Sequence, residues 1–250
     1  MRTQKQNRKE TDQKAVSITV HFKELRKRLI TTFVAFLLCF LICFNFAADL
    51  VQFLSQMAIE YGYQLIYLAP TELFGQYIKV ALIVSVSTVM PLLIFQIFAF
   101  CKPGLKEKEK KYFLQTILSG FGCFIIGLIF AFYIILPFML RFFIEISNDS
   151  IIQASISISN YVNFIISILL MFGIIFEMPV VVTLLTRLHL VNPKFLKRIR
   201  KLVIVLIFII CAIITPPDII SQIMVAIPMI LLYEASIQIS SMLYRKKKQQ

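Results

Sequence analysis

The sequence predicts an all-α integral membrane protein: six transmembrane helices in a curved, open bundle, with the last two helices short. Three observations lead there. Hydrophobic residues make up 59% of the 250, charged residues only 16%, and mean hydropathy is +0.83. A soluble chain of this length lacks the polar residues to cover so much apolar surface. Apolar stretches recur at 29–48, 80–101, 112–140, 161–176, 202–214 and 219–233, and helices satisfy their own backbone hydrogen bonds in lipid. The basic residues sort by connection: alternate connections hold 24 of the 26 Lys and Arg. The positive-inside rule then places both termini in the cytoplasm. The same composition excludes disorder, collagen and disulfide scaffolds. The net charge of +13 is spread over these connections, so it marks sidedness and not a nucleic-acid surface.

Residues 1–14 are polar and read as a disordered cytoplasmic lead. Ile18, Phe22, Leu25 and Leu29 then share one helical face, opposite Lys23, Glu24, Arg26, Lys27 and Arg28. This spacing predicts a basic amphipathic helix on the membrane surface before the first span. The first apolar stretch is 20 residues long, follows a charged lead and lacks a small-residue cleavage site, so it reads as a span and not as a signal peptide. Leu50, Phe53, Leu54, Met57 and Tyr61 predict a short helix capping the outer face. The second span extends back to Leu73 and contains Lys79. The second and third spans reach about 43 Å, longer than the ~30 Å hydrocarbon core. The connection 141–160 begins helically and then turns Ser/Asn-rich with β-branched alternation, an extended or partly helical outer cap. The fourth span continues through Glu177 to Thr186, and the sixth past Glu234 toward Leu243. The fifth, 202–214, is only about 20 Å long as a helix and reads as a thin, complete crossing. Pro91, Pro137, Pro179 and Pro228 each interrupt an apolar stretch and bend it. The single membrane domain runs over 15–243, with a basic cytoplasmic tail at 244–250.

Catalytic patterns are scarce. The two histidines, His21 and His189, are far apart, and the aspartates are Asp12, Asp49, Asp149 and Asp218, none mid-membrane. No metalloprotease, nucleophile-elbow or phosphate-loop motif occurs, and no metal or cofactor is implied. The five cysteines lie in or at the ends of apolar stretches and read as small core residues. Five acids stand in the basic cytoplasmic face: Glu10, Asp12, Glu24, Glu107 and Glu109. Such carboxylates either pair internally with neighbouring Lys and Arg or receive a basic peptide. Within the bilayer, Lys79 lies about 9 Å along its helix from Leu73, and Glu177 about 24 Å from Tyr161, so the two do not meet. Gln96 lies at a depth similar to Glu177 and is its expected polar neighbour. Glu72 and Asp218 stand at outer helix starts, where an acid suits the dipole.

Several motifs, in order, carry a resemblance. His21-Phe22-Lys23-Glu24-Leu25-Arg26-Lys27-Arg28-Leu29 resembles the HLxELRxRL signature of the TatC family, the polytopic subunit of the twin-arginine translocase. Pro70-Thr71-Glu72 with Phe74 and Lys79 resembles the family's entry into its second helix. Pro91, Gln96, Phe100, Pro103, Gly104, Leu105 and Glu109 match its next stretch, and Phe176, Glu177 and Pro179 its fourth helix. Thr215-Pro216-Pro217-Asp218, Ser221-Gln222, Pro228 and Leu232-Tyr233-Glu234 resemble its C-terminal pattern. The match covers about 20–236, with Ala69 and Phe22 as small departures.

The resemblance implies a receptor, not an enzyme, with no cofactor. Its partners would be twin-arginine signal peptides of folded cargo and single-span TatA/TatB-type subunits, in a multi-copy complex of the cytoplasmic membrane driven by the proton motive force. It implies a signal-peptide site of Glu24 and Glu109, shaped by Arg26, Phe100, Pro103 and Gly104. It implies intramembrane polar or partner contacts at Gln96, Glu177 and Glu234, and an outer-face motif of Pro70, Glu72, Pro216 and Asp218. A polytopic secondary transporter is the rival class, but the two halves show no evident repeat.

Overall fold

The computed structural model describes residues 2–101, 107–148, 155–187, 190–215 and 218–248. In chain order the elements are α1 (Arg2–Asn45), α2 (Ala47–Glu60), β1 (Gln64–Ile66), α3 (Pro70–Cys101), α4 (Glu107–Phe130), a π-helical turn (Ala131–Ile135), α5 (Leu136–Asn148), β2 (Ser155–Ser157), α6 (Ile158–Phe176), α7 (Met178–Arg187), α8 (Pro193–Ile214) and α9 (Ile219–Lys248). Five helical stretches are long and apolar enough to cross a membrane: Arg26–Asn45, Pro70–Met90, Leu118–Ile146, Ile158–Arg187 and Ile219–Arg245. The sixth expected crossing is the apolar half of α8. Its first half carries Lys194, Lys197, Arg198, Arg200 and Lys201, which hold down its hydropathy.

α1 is a single helix from Arg2. It joins the expected surface helix to the first span without a break, and it begins inside the lead expected to be disordered. The reason is local: residues 1–45 contain neither glycine nor proline and are rich in Lys, Gln, Arg and Glu, all good helix formers. Likewise α9 carries the basic tail on to Lys248.

The prolines act where the sequence places them. Pro137 has no N–H for the Tyr133 carbonyl four residues back, and that carbonyl lies within the π-helical turn, which ends at Ile135, just before Leu136 and the proline. Pro179 has the same effect on the fourth span. There the helix ends at Phe176; the Glu177 N–H reverts to the Ile174 carbonyl at 3.1 Å, and α7 restarts on the Glu177 carbonyl. The continuous fourth span expected from hydropathy is therefore two helices, with Glu177 at the joint.

One face of the bundle is capped by α2, β1 and β2. α2 buries Ala47, Val51, Leu54 and Ala58, the 3–4 spacing of one helical stripe. β1 pairs with β2 in parallel, Gln64 opposite Ser155. Two buried tyrosines tie this cap to the helices: Tyr63 donates to the Leu140 carbonyl at 2.9 Å and Tyr161 to the Leu54 carbonyl at 2.8 Å. The core follows α6, where Val162, Ile165, Ile168 and Phe172 are fully covered. Glycines let α4 approach closely. A Cβ at Gly127 would stand 2.7 Å from the Phe172 carbonyl oxygen, and one at Gly173 would stand 2.7 Å from the Phe124 ring. At the opposite face α7, α8 and α9 close on Val182, Leu196, Tyr233 and Ile237.

Candidate functional site

On the face opposite the cap, α1 and α3 bring three polar side chains together. Glu24 and Arg28 are one helical turn apart. The guanidinium gives Glu24 Oε1 two bonds, from Nη2 at 2.6 Å and Nε at 3.2 Å. Its third nitrogen, Nη1, donates to Gln96 Oε1 of α3 at 3.0 Å. Glu24 stays about one-third exposed and Arg28 about one-quarter. Glu24 Oε2 takes no part in these contacts. Gln96 therefore belongs with Glu24 and Arg28, and not with Glu177 as depth alone suggests. Its azimuth on α3 turns it toward α1. Arg26 is exposed on the same helix. Phe100 and Glu109 are placed as positions in α3 and α4 only, and Pro103 and Gly104 lie outside the described residues.

Glu177 sits deeper, at the α6–α7 joint. It is 8% exposed, and its Oε1 has no hydrogen-bond partner among the described residues. Gly120 of α4 makes the room: a Cβ there would lie 3.0 Å from Glu177 Oε2. A carboxylate in this notch, left short of partners inside the protein, is a standing demand for a polar group from outside. Glu234 Oε1 likewise has no hydrogen bond of good geometry among the described residues, but it has a cation beside it. Arg200 Nε of α8 lies 2.5 Å from its Oε1, an ion pair that ties α8 to α9 beside the Tyr233–Leu196 carbonyl bond of 2.8 Å.

The cap-face motif is structural. Glu72, in the first turn of α3, accepts from the Leu68 N–H at 2.7 Å, from the Ser159 N–H at 3.3 Å and from the Ser157 hydroxyl. One carboxylate thus holds the start of α3, the β1–α3 connection and the β2–α6 corner. Deeper on the same face of α3, Gln76 donates to Ser159 Oγ at 2.6 Å and Lys79 to Asn163 Oδ1 at 3.1 Å. Lys79 stays at the cap side, as its depth predicts. Asp218 caps α9, accepting from the Ser221 N–H at 2.7 Å. Pro70 opens α3 as its first residue, and Pro216 lies outside the described residues. Sequence reasoning missed Gly120, Arg200, Ser157 and Ser159 as partners. A glycine inside an apolar span was the available signal for the first; nothing in the sequence marked the others.

A family model for Sec-independent protein translocase protein (TatC) matches residues 20–228. The Sec-independent protein translocase protein TatC of Listeria innocua is 35% identical over 232 residues, covering 93% of this chain and 94% of that protein. TatCy of Bacillus subtilis is 36% identical over 231 residues, covering 92% and 91%. A crystal structure of the twin-arginine translocase receptor TatC superposes with a TM-score of 0.81 at 35% identity, covering 89% of this chain and 98% of that one. The ordered motifs, the helical architecture and these full-length matches agree that the chain belongs to the TatC family of Sec-independent protein translocase proteins.

Proposed function

We propose that this chain is the signal-peptide receptor and core subunit of a twin-arginine translocase. It captures paired-arginine peptides on the face opposite the cap and works with single-span TatA/TatB-type subunits to export folded proteins. Its role is recognition and assembly, with no bond made or broken on the chain. The observation that carries this reading is the Glu24–Arg28–Gln96 cluster. A carboxylate and an amide oxygen there already hold one guanidinium through all three of its nitrogens, which is planar, multi-point recognition of arginine that lysine cannot reproduce. Glu109, at the start of α4, supplies the second carboxylate of the pair, and Arg26, Phe100, Pro103 and Gly104 shape the surroundings. Glu177 is the seat of a partner-helix contact within the membrane.

The test is binding of a paired-arginine peptide to the purified chain against the same peptide with paired lysines. The arginine form is expected to bind at least tenfold tighter. Equal binding would reduce the site to general electrostatics and sink the reading.

Sidedness follows from charge. The cap face, carrying few basic residues, lies outside a cytoplasmic-type membrane, and both termini lie inside. In a background without native cysteines, Tyr61→Cys, Ser155→Cys and Pro217→Cys should react with an impermeant thiol reagent on intact cells. Lys108→Cys, Pro193→Cys and Lys247→Cys should react only after the membrane is opened. Protection at 217 with labelling at 61 and 155 would mean that α8 and α9 form a re-entrant hairpin, and six crossings would be wrong.

A further inference from the structure

We propose that the cap side of the bundle holds one phospholipid with a zwitterionic phosphate–ammonium headgroup: the headgroup between Arg141 and Glu60, and one acyl chain in the groove below. Two cavities carry this. A cleft of about 640 Å³ opens between α2 and the π-turn–α5 segment, with Gln56, Glu60, Tyr61 and Arg141 among its walls. A second cavity of about 540 Å³ runs between α3, α4 and α6 and is walled by apolar side chains such as Val80, Val84, Phe124 and Leu169. Phe53, Phe132 and Tyr133 line both, so the two cavities adjoin at the stacked Phe53 and Phe132 rings. Along α4 and the π turn the groove extends from Tyr133 to Phe121, about 18 Å at helical rise. One leaflet of a bilayer is about 15 Å deep. The shape is a cleft with Glu60 and Arg141 in its walls beside an apolar trough about one leaflet deep.

The charges in the cleft walls select the headgroup. Arg141 is the single basic residue in 141–160, and 49–72 has none. Its guanidinium is held 5.5 Å above the Tyr61 ring, and no carboxylate among the described residues lies within ion-pair distance of it. Glu60 is exposed on the same cleft and has no cationic partner among the described residues. It is also the last residue of α2, where the helix dipole disfavours a carboxylate, so its charge gains nothing from its own helix. A simple anion would satisfy Arg141 and be repelled by Glu60; a simple cation would do the reverse. A phosphate joined to an ammonium answers both.

The chain contains no tryptophan, so Tyr133→Trp gives a single reporter where cleft and groove meet. Leu206→Trp, on the exposed face of α8, reports ordinary lipid contact. Both proteins are reconstituted at equal lipid fraction in vesicles containing brominated-chain phosphatidylethanolamine or phosphatidylglycerol. The ethanolamine lipid should quench the Tyr133→Trp reporter at least threefold more than the glycerol lipid, with no such difference for Leu206→Trp. Adding Glu60→Gln should erase the preference. Adding Arg141→Gln should lower quenching by both lipids to the Leu206→Trp level. Ser87→Phe, which narrows the groove and leaves both charges in place, should reduce quenching and keep the preference. Equal quenching by the two lipids at the Tyr133→Trp reporter overturns the proposal. Quenching insensitive to both charge substitutions overturns it as well, and assigns the groove to unselective lipid or to a partner helix.

Discussion

Glu24→Ala should weaken capture of a paired-arginine peptide by about 10- to 100-fold. A hydrogen bond to a charged group contributes about 1.5–3 kcal/mol, and each 1.4 kcal/mol is a factor of ten. Partial exposure of Glu24 puts the result toward the lower end. Glu109→Ala should act in the same direction, while Glu10→Ala and Asp12→Ala should leave capture unchanged. Peptide crosslinking reads all four, and equal loss at every site would mean diffuse attraction to acid. Arg28 gives the assay a second sign. In the resting chain it occupies the carboxylate that the peptide needs, so binding is an exchange of one guanidinium for another. Arg28→Gln should therefore tighten peptide binding several-fold. If it weakens binding instead, Arg28 holds Glu24 in position and is not displaced.

Glu177→Ala should leave surface capture intact and impair export. Glu177 lies at the start of α7, whose ten residues, about 15 Å at helical rise, stand between it and the face opposite the cap, too deep to meet a peptide arginine on the membrane surface. Polar contacts between membrane helices average about 0.6 kcal/mol and reach about 2, so partner association should fall roughly three- to thirtyfold. Glu177→Gln should be milder, since it keeps a hydrogen-bonding group. Gly120→Ala should fall between, because the new methyl group would stand 3.0 Å from Oε2 and push the carboxylate out of its notch. Co-purification of a single-span partner and export of a folded reporter are the two readouts. If all three variants assemble and export normally, Glu177 only packs helices.

Much of this was legible in the sequence. Apolar runs and the alternation of basic connections were enough for the helices and their grouping, and the spacing of Leu50, Phe53, Leu54 and Met57 foretold α2. The failures have physical causes. Depth along a helix can be counted from sequence, but azimuth cannot, so Gln96 was set beside Glu177 when it faces Arg28. Pro179 signalled a bend, yet hydropathy does not register backbone breaks, and Glu177 was placed inside a helix instead of at its end. The lead was judged by polarity, although its lack of glycine and proline favoured continuing α1. β2 falls in the β-branched alternation that read as extended, whereas β1, three residues long, shows no period of two and only the pairing defines it.

That pairing has a consequence for how the protein is made. Gln64 leaves the ribosome long before its partner Ser155, with α3, α4 and α5 between them. Bringing two points 91 residues apart together in a free chain costs on the order of 4 kcal/mol in closure entropy. Three hydrogen-bonded residue pairs offer little against that. Once α3 and the continuous α4–α5 span are inserted as a hairpin, their cap-side ends already lie side by side, and most of the closure cost has been met by insertion itself. The strand pair, and the Glu72 bonds that fasten it, thus belong to the last stage of biogenesis. Until then β1 is an unpaired edge on the cap side, which makes the half-inserted chain the form most open to mispairing and to proteases there.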